Sequence, residues 1–263
     1  MILQVEGLGI AFGGVRAVED LSFGVEAGAI HAVIGPNGAG KTTLFNMVSG
    51  IYRPSGGSIR FAGRDVTGRP PHVLAAQGLS RTFQNLQIFE RMTARENVML
   101  GRHLHENRSL LPQLLRLPDM VAGERATAAR AGELLDFVGL DDVADTRAGG
   151  LPYGALKRLE IARALATEPK LLLLDEPAAG CNPTETRDLD RLIQAIAGQG
   201  VTVLLVEHDM HLVMNISDHI LVLDYGRKLA EGTAQEVGRN PDVIAAYLGR
   251  PSEDERAAAD VAD

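Results

Sequence analysis

The chain has 263 residues, one cysteine and a formal charge of -8 at pH 7, an acidic balance that argues against a nucleic-acid binder because a phosphate backbone rewards a basic face. One cysteine excludes an internal disulfide, and no stretch reaches the roughly 18 apolar residues of a membrane-spanning helix. The opening MILQVEGLGI lacks a basic leader with an apolar stretch and cleavage site, so the expectation is a cytosolic protein.

From the N-terminus, ILQVEGLGIAFG and LSFGVEAG read as short antiparallel strands with glycine turns, and GGSIRFAGRDV as a third. AIHAVIG (29–35) reads as a buried strand, followed by a glycine-rich turn and the helix KTTLFNMVSG. From residue 86 to about 168 helix formers dominate and β-branched runs vanish, which predicts an inserted helical subdomain. Within it LLPQLLRLP (110–118) is a Leu-rich spur, either a plain helix or loop or a dock for a membrane partner. LLLLD (171–175), VTVLLVE (201–207) and ILVLD (220–224) are further buried strands, with the helix TETRDLDRLIQAIA between the first two. Parallel strands covered on both faces read as such continuous apolar runs. The fold class is therefore α/β with a mainly parallel core sheet, an N-terminal antiparallel β subdomain and an inserted helical subdomain. One domain over 1–250 is expected, and the Ala-rich, acidic PSEDERAAADVAD (251–263) reads as a disordered tail.

GPNGAGKTT (35–43) matches G-x-x-x-x-G-K-[ST] directly after a predicted strand and at the start of a predicted helix, the context that makes the pattern a phosphate cradle. Gly35, Gly38 and Gly40, with Pro36, Asn37 and Ala39 between them, let successive backbone N–H groups point inward, and the helix N-terminus adds its partial positive charge. Lys41 would reach the β and γ phosphates of a nucleotide, and Thr42, followed by Thr43, would place a hydroxyl on Mg²⁺. LLLLDEP supplies the complementary acids: Asp175 to hold Mg²⁺ through water and Glu176 to orient or deprotonate an attacking water.

The order of these motifs resembles the ATP-binding cassette (ABC) ATPases from Met1 to about Arg250. That resemblance implies a P-loop fold and Mg²⁺-dependent ATP hydrolysis. It gives Gln84 of SRTFQNLQIF contact with metal and water and a link to the membrane partner, and it gives His208 of LLVEHDM the γ-phosphate and the water. Phe12 of AFGG takes the adenine-stacking place, though an apolar core place is equally open to it. LPYGA, residues Leu151, Pro152, Tyr153, Gly154 and Ala155, stands where the family usually has LSGGQ and would face a partner's ATP. Pro152 removes the serine donor, while the N–H groups of Tyr153 and Gly154 and the helix dipole remain. A hydrogen bond to a charged group contributes about 1.5 to 3 kcal/mol, so its loss weakens a dimer roughly tenfold to a hundredfold.

Longer phrases, LLLLDEPAAGCNPTET, VEHDMHLVMNISDHILVLDYGRKLAEGT and NPDVIAAYLG among them, are similar to the ATP-binding subunits of branched-chain (hydrophobic) amino-acid importers. The resemblance implies a homo- or heterodimer with a second ATP-binding subunit, two transmembrane permease subunits, an external solute-binding protein and a peripheral place on the cytoplasmic face of the inner (plasma) membrane. Urea or amide importers, lipopolysaccharide-export ATPases and non-transport ABC ATPases share parts of the pattern. Asn182 stands where an aspartate is usual, which softens a charge contact across the dimer, and Cys181 reads as an inert small hydrophobe. His103 with His105, or His208 with His211, lack the companions of a metal site and read as solvated or core histidines.

Overall fold

The structure is a computed structural model that describes residues 1–84, 86–104 and 118–248. The bulk of LLPQLLRLP, His105 and the acidic tail lie outside the described residues.

Six strands form the central sheet in the order β10-β9-β3-β8-β7-β6: β3 (Ile30–Ile34), β6 (Leu79–Arg81), β7 (Leu171–Asp175), β8 (Thr202–Val206), β9 (His219–Asp224) and β10 (Arg227–Gly232). Pairing is parallel from β9 through β6, and only β10 runs antiparallel, against β9. The continuous apolar runs divide between two cores by the period of two that strand geometry imposes. Val33, Leu171, Leu173, Leu204, Val206, Leu221 and Leu223 pack to one side. Ala32, Leu172, Leu174, Val203, Leu205, Ile220 and Val222 pack to the other.

The first core is closed by an antiparallel sheet of order β2-β1-β4-β5, built from β1 (Leu3–Phe12), β2 (Val15–Val25), β4 (Gly56–Phe61) and β5 (Arg64–Asp65), together with α1 (Lys41–Val48). The second core is closed by helices: α3 (Ala94–Gly101), α4 (Pro118–Phe137), α5 (Tyr153–Leu165), α6 (Pro183–Gly198) and α7 (Met210–Ile216). Three short helices, α2 (Pro71–Ala76), α8 (Ala234–Gly238) and α9 (Pro241–Leu248), and the 3₁₀ turns Arg102–Leu104, Asp141–Val143 and Ala148–Gly150 complete the described elements.

Two strands escape the sequence reading. Leu79–Arg81 is three residues of mixed polarity, and Arg227–Gly232 is an edge strand whose exposed residues carry no apolar run. Strand β2 also begins at Val15, six residues before the LSFGVEAG reading. Between residues 86 and 168 the described residues hold helices and a single bridge, Thr93 to Arg147. Helix α5, which follows LPYGA, starts one residue later than its proline, since Pro152 is the N-cap with φ −60° and ψ 155°. A proline costs nothing there, because the helix asks no N–H of that residue.

Candidate nucleotide site

The P-loop leaves β3 at Gly35 and enters α1 at Lys41, so its backbone amides gather at a helix N-terminus. Two of its glycines are required by close approach. A Cβ on Gly35 would stand 2.2 Å from the Leu223 carbonyl oxygen, and one on Gly40 would stand 2.6 Å from that of Ala17. Both also hold positive φ, 153° and 99°. Gly38 holds φ 80° in open space, so only its backbone conformation asks for glycine. Lys41 folds its ammonium over the loop, donating to the carbonyls of Gly35 at 2.6 Å and Pro36 at 3.0 Å. Burial lowers its pKa, with Glu176 opposing that shift. Thr42 is exposed on the first turn and Thr43 half-buried beside it.

Asp175 ends β7 and is buried, with its Oδ2 accepting from Arg81 Nη2 at 2.8 Å. Nη1 of the same guanidinium donates to Asn46 Oδ1 and Ser49 Oγ, both at 2.7 Å, and its Cζ lies 5.7 Å and 5.5 Å from the ring centroids of Phe45 and Phe83. The N–H of Asp175 donates to Thr82 Oγ1 at 3.3 Å. Arg81 on β6 thus aims the carboxylate and Thr82 just after it holds the backbone, and Oδ1 receives no donor among the described residues.

Glu176 follows with φ 49°, an uncommon conformation for a residue with a Cβ and one that persists only where surroundings over-determine it. Its N–H donates to the Val206 carbonyl at 2.9 Å and its carbonyl accepts from Lys157 at 3.3 Å. Its carboxylate accepts from Gln84 Nε2 at 3.1 Å, and His208 Nδ1 lies 4.0 Å away. Three residues separated by up to 124 positions in sequence therefore meet at one carboxylate, because β6, β7 and β8 are adjacent parallel strands that all end on this side. Glu207, fully buried between them, accepts from the N–H groups of Ala178, His208 and Asp209 and so ties the loops after β7 and β8 together.

Helix α5 opens with exposed Pro152 and Tyr153 and buried Leu151, Gly154 and Ala155. Glu185 of α6 packs across this first turn: a Cβ on Gly154 would stand 2.5 Å from its Oε1. Asn182 caps α6, accepting from the N–H groups of Thr184 and Glu185 at 2.9 and 3.0 Å, while its own N–H donates to Glu185. A local capping role thus accounts for an acceptor at this position.

A model of the ABC transporter family matches residues 18–179, more than half of the sequence. The chain belongs to the ABC transporter family. A second model, of the branched-chain amino acid ATP-binding cassette transporter, matches residues 227–252. The high-affinity branched-chain amino acid transport ATP-binding protein BraF of Pseudomonas aeruginosa is 49% identical over 249 residues, covering 94% of this chain and 98% of its own. Its counterpart LivG of Escherichia coli is 44% identical over the same shares. Among solved structures, a nucleotide-free ATP-binding cassette from an ABC transporter superposes with TM-score 0.82 at 33% identity, covering 95% of this chain and 99% of the other. The ADP conformation of such a cassette gives the same values.

As an ABC cassette, the chain keeps Phe12 out of the core: it is 46% exposed and meets Tyr52 edge to face at 5.3 Å between centroids. It ends β1 of the hairpin whose β2 residues Ala17 and Val18 touch the P-loop at Gly40. Cys181 is half-buried against the helical core, and burial raises its thiol pKa, the environment of an unreactive cysteine. The His103 ring meets the Leu100 carbonyl and the His211 ring meets Asn215, while the His211 N–H donates to Asp209.

The cassette also contains functional-site residues that the motifs did not announce. Arg81, Lys157, Glu160 and Glu207 are all buried charges that contact the motif residues or their loops. For Glu207 a signal existed, since VTVLLVE ends in an acid as LLLLD does. Lys157 and Glu160 look in sequence like the polar face of an amphipathic helix, and only the packing inverts that reading.

Beside Gln84 a groove of about 860 Å³ opens, lined by Phe83, Leu86, Ile88, Phe89, Leu100 and Glu160 among others. Phe83, Phe89 and Leu100 are exposed there at 41%, 53% and 37%. Among the described residues no helix is long and apolar enough to cross a membrane.

Proposed function

We propose that this chain is the ATP-hydrolysing subunit of an importer of branched-chain or other hydrophobic amino acids. The observation that carries the hydrolytic part is Glu176, held between Gln84 at 3.1 Å and His208 at 4.0 Å at the end of the strand beside the P-loop strand's neighbour. The solute class rests on the match of residues 227–252 and on relatives that carry that name.

In this reading the P-loop amides from Gly35 to Thr43 bind the phosphates of ATP, Lys41 leaves its loop carbonyls for the β and γ oxygens, and Phe12 stacks on adenine. Glu176 orients the attacking water and takes its proton, while His208 holds the γ-phosphate and Gln84 positions the water. Thr42, Gln84 Oε1 and Asp175 Oδ1 are hard oxygen donors free of protein donors among the described residues, a set that suits Mg²⁺. Held there with ATP, Mg²⁺ would supply neutralisation of the charge that develops on the phosphate oxygens.

A second cassette places its α5 N-terminus against this ATP, and this chain's Leu151 to Ala155 face the partner's. Two permease subunits dock at the apolar groove beside Gln84, which sets the chain on the cytoplasmic membrane face, and an external binding protein delivers the solute. If the partner cassette differs, this chain's own P-loop site is the stronger, because the turn lacking serine is presented to the other.

Reconstitution with the permeases tests the whole reading. Glu176→Gln should abolish ATP turnover by the assembled transporter, and leucine should be taken up in preference to urea or amides. Turnover nearly intact in Glu176→Gln, with the equivalent partner change abolishing it, overturns the assignment of the stronger site; uptake of urea alone overturns the solute class.

A further inference from the structure

Helix α5 holds two buried charged residues three positions apart, Lys157 and Glu160, each 3% exposed. That spacing puts them on one face of the helix, and each reaches a different part of the hydrolytic site. Lys157 Nζ donates to the Glu176 carbonyl at 3.3 Å, with the Tyr153 ring over it at 5.7 Å. Glu160 Oε1 accepts from the Phe83 N–H at 3.3 Å and the carboxylate also faces the Gln87 N–H, so it grips both flanks of Gln84.

We propose that Lys157 and Glu160 are positioning residues through which α5, whose first turn meets the partner's ATP, sets Glu176 and Gln84 for hydrolysis of this chain's own ATP. The proposal rests on the hydrolytic reading above.

Both contacts fall where the backbone needs them. Glu176 sits at φ 49°, and its peptide is held on one side by Val206 and on the other by Lys157. Removal of Lys157 frees the carbonyl side and lets the carboxylate drift from the water it orients. Glu160 fixes the loop from which Gln84 reaches Glu176 at 3.1 Å, so its loss releases the other support of the same carboxylate.

A helix that served packing alone would bury apolar residues at these two places. Burying an ammonium and a carboxylate instead is costly unless each is partnered, and the partners here belong to the loops carrying Glu176 and Gln84. Burial pushes the Glu160 carboxyl pKa up, against the backbone N–H groups, Arg163 and Lys157 that favour its charged form. The N-terminal end of the same helix touches the loop after Glu176 again, since a Cβ on Gly180 would stand 3.0 Å from the Tyr153 ring. Displacement of α5 as two cassettes close therefore moves the supports of Glu176 and Gln84 together.

The test uses the assembled transporter carrying Lys157→Met or Glu160→Leu, with Lys157→Arg and Glu160→Gln as conservative partners and Glu176→Gln as the reference. Trinitrophenyl-ATP binding gives Kd and phosphate release gives kcat. The expected result is a fall in kcat of at least about tenfold, with Kd changed by less than about twofold and with substantial recovery in the two conservative variants. Unchanged kcat in both variants, or equal loss of Kd and kcat without rescue, overturns the proposal. If Lys157→Met or Glu160→Leu fails to assemble, the conservative variants decide: kcat and Kd falling in parallel in Lys157→Arg and Glu160→Gln overturns it as well. Failure of the hydrolytic reading is separate, because it shows as normal turnover in Glu176→Gln.

Discussion

Arg81→Met removes the counter-ion of a carboxylate that is only 3% exposed, from a guanidinium that is itself 7% exposed. Stranding one partner of a buried pair costs about 3 to 5 kcal/mol. Asn46 and Ser49 each lose a donor as well, which adds about 1 kcal/mol apiece. Methionine keeps the space between Phe45 and Phe83 filled and returns about 1 kcal/mol through sulfur–aromatic contact. The net loss is about 4 to 6 kcal/mol, a fall in Tm of roughly 10 to 20 °C for a chain of this size. Urea unfolding followed by circular dichroism measures it. Combining Arg81→Met with Asp175→Asn removes both charges and should recover at least about half of the loss, since replacing a buried pair is cheaper than breaking one. A single-variant loss below about 1 kcal/mol, or a double variant no more stable than the single, would refute the buried-pair account.

Further outcomes are accessible to simple measurements. Gly35→Ala drives a Cβ to 2.2 Å from the Leu223 carbonyl oxygen at a φ of 153°, so ATP affinity by equilibrium dialysis should fall at least about tenfold, and wild-type affinity contradicts the close approach. Pro152→Ser restores a hydroxyl at the N-cap of α5 and should tighten ATP binding across the assembled dimer roughly tenfold to a hundredfold; an unchanged Kd shows that the missing serine limits nothing. His31 is buried, its Nε2 accepts from the Glu26 N–H at 3.1 Å, and burial, with His219 second, lowers its pKa from 6.5 to about 4. The unfolded chain therefore binds the extra proton first, and stability is full above about pH 6.5 and drains as pH falls toward 4. About 3 kcal/mol is lost in that window, and His31→Gln should flatten the acid limb of Tm against pH; an identical limb in both proteins assigns the loss to other groups.

Much of the architecture was legible because parallel strands buried on both faces have no choice but continuous apolar runs: IHAVI, LLLLD, TVLLV and HILVLD all stand as strands. The short strand LSR and the exposed strand RKLAEG carried no such signal, as their pairing comes from neighbours rather than from their own side chains. Within the site, the glycines of the P-loop and the acids ending β7 were visible, since a phosphate cradle needs amides without side chains in the way. Arg81 was not, because a lone arginine in SRTFQ has the same appearance whether it meets solvent or Asp175. Asn182 looked like a softened dimer contact, and the structure adds a local role that the sequence did not announce, the N-cap of α6.

The sequence by itself determined the chemistry on offer: a nine-residue loop of glycines and Lys41, an Asp175–Glu176 pair after a buried run, and a signature turn with proline in place of serine. Each is a local pattern whose physical requirement, backbone freedom or burial period, is written in adjacent residues. The tertiary structure brought Gln84 and His208, already marked by the family resemblance, to the Glu176 carboxylate, and it alone added Lys157. Gln84, Lys157 and His208 lie 92, 19 and 32 positions from it, and they meet because parallel strands deliver their C-terminal ends to one edge while α5 packs its buried charges beneath them. Burial is a property of the packed whole, and so the buried charges Arg81, Lys157, Glu160 and Glu207 became visible only there.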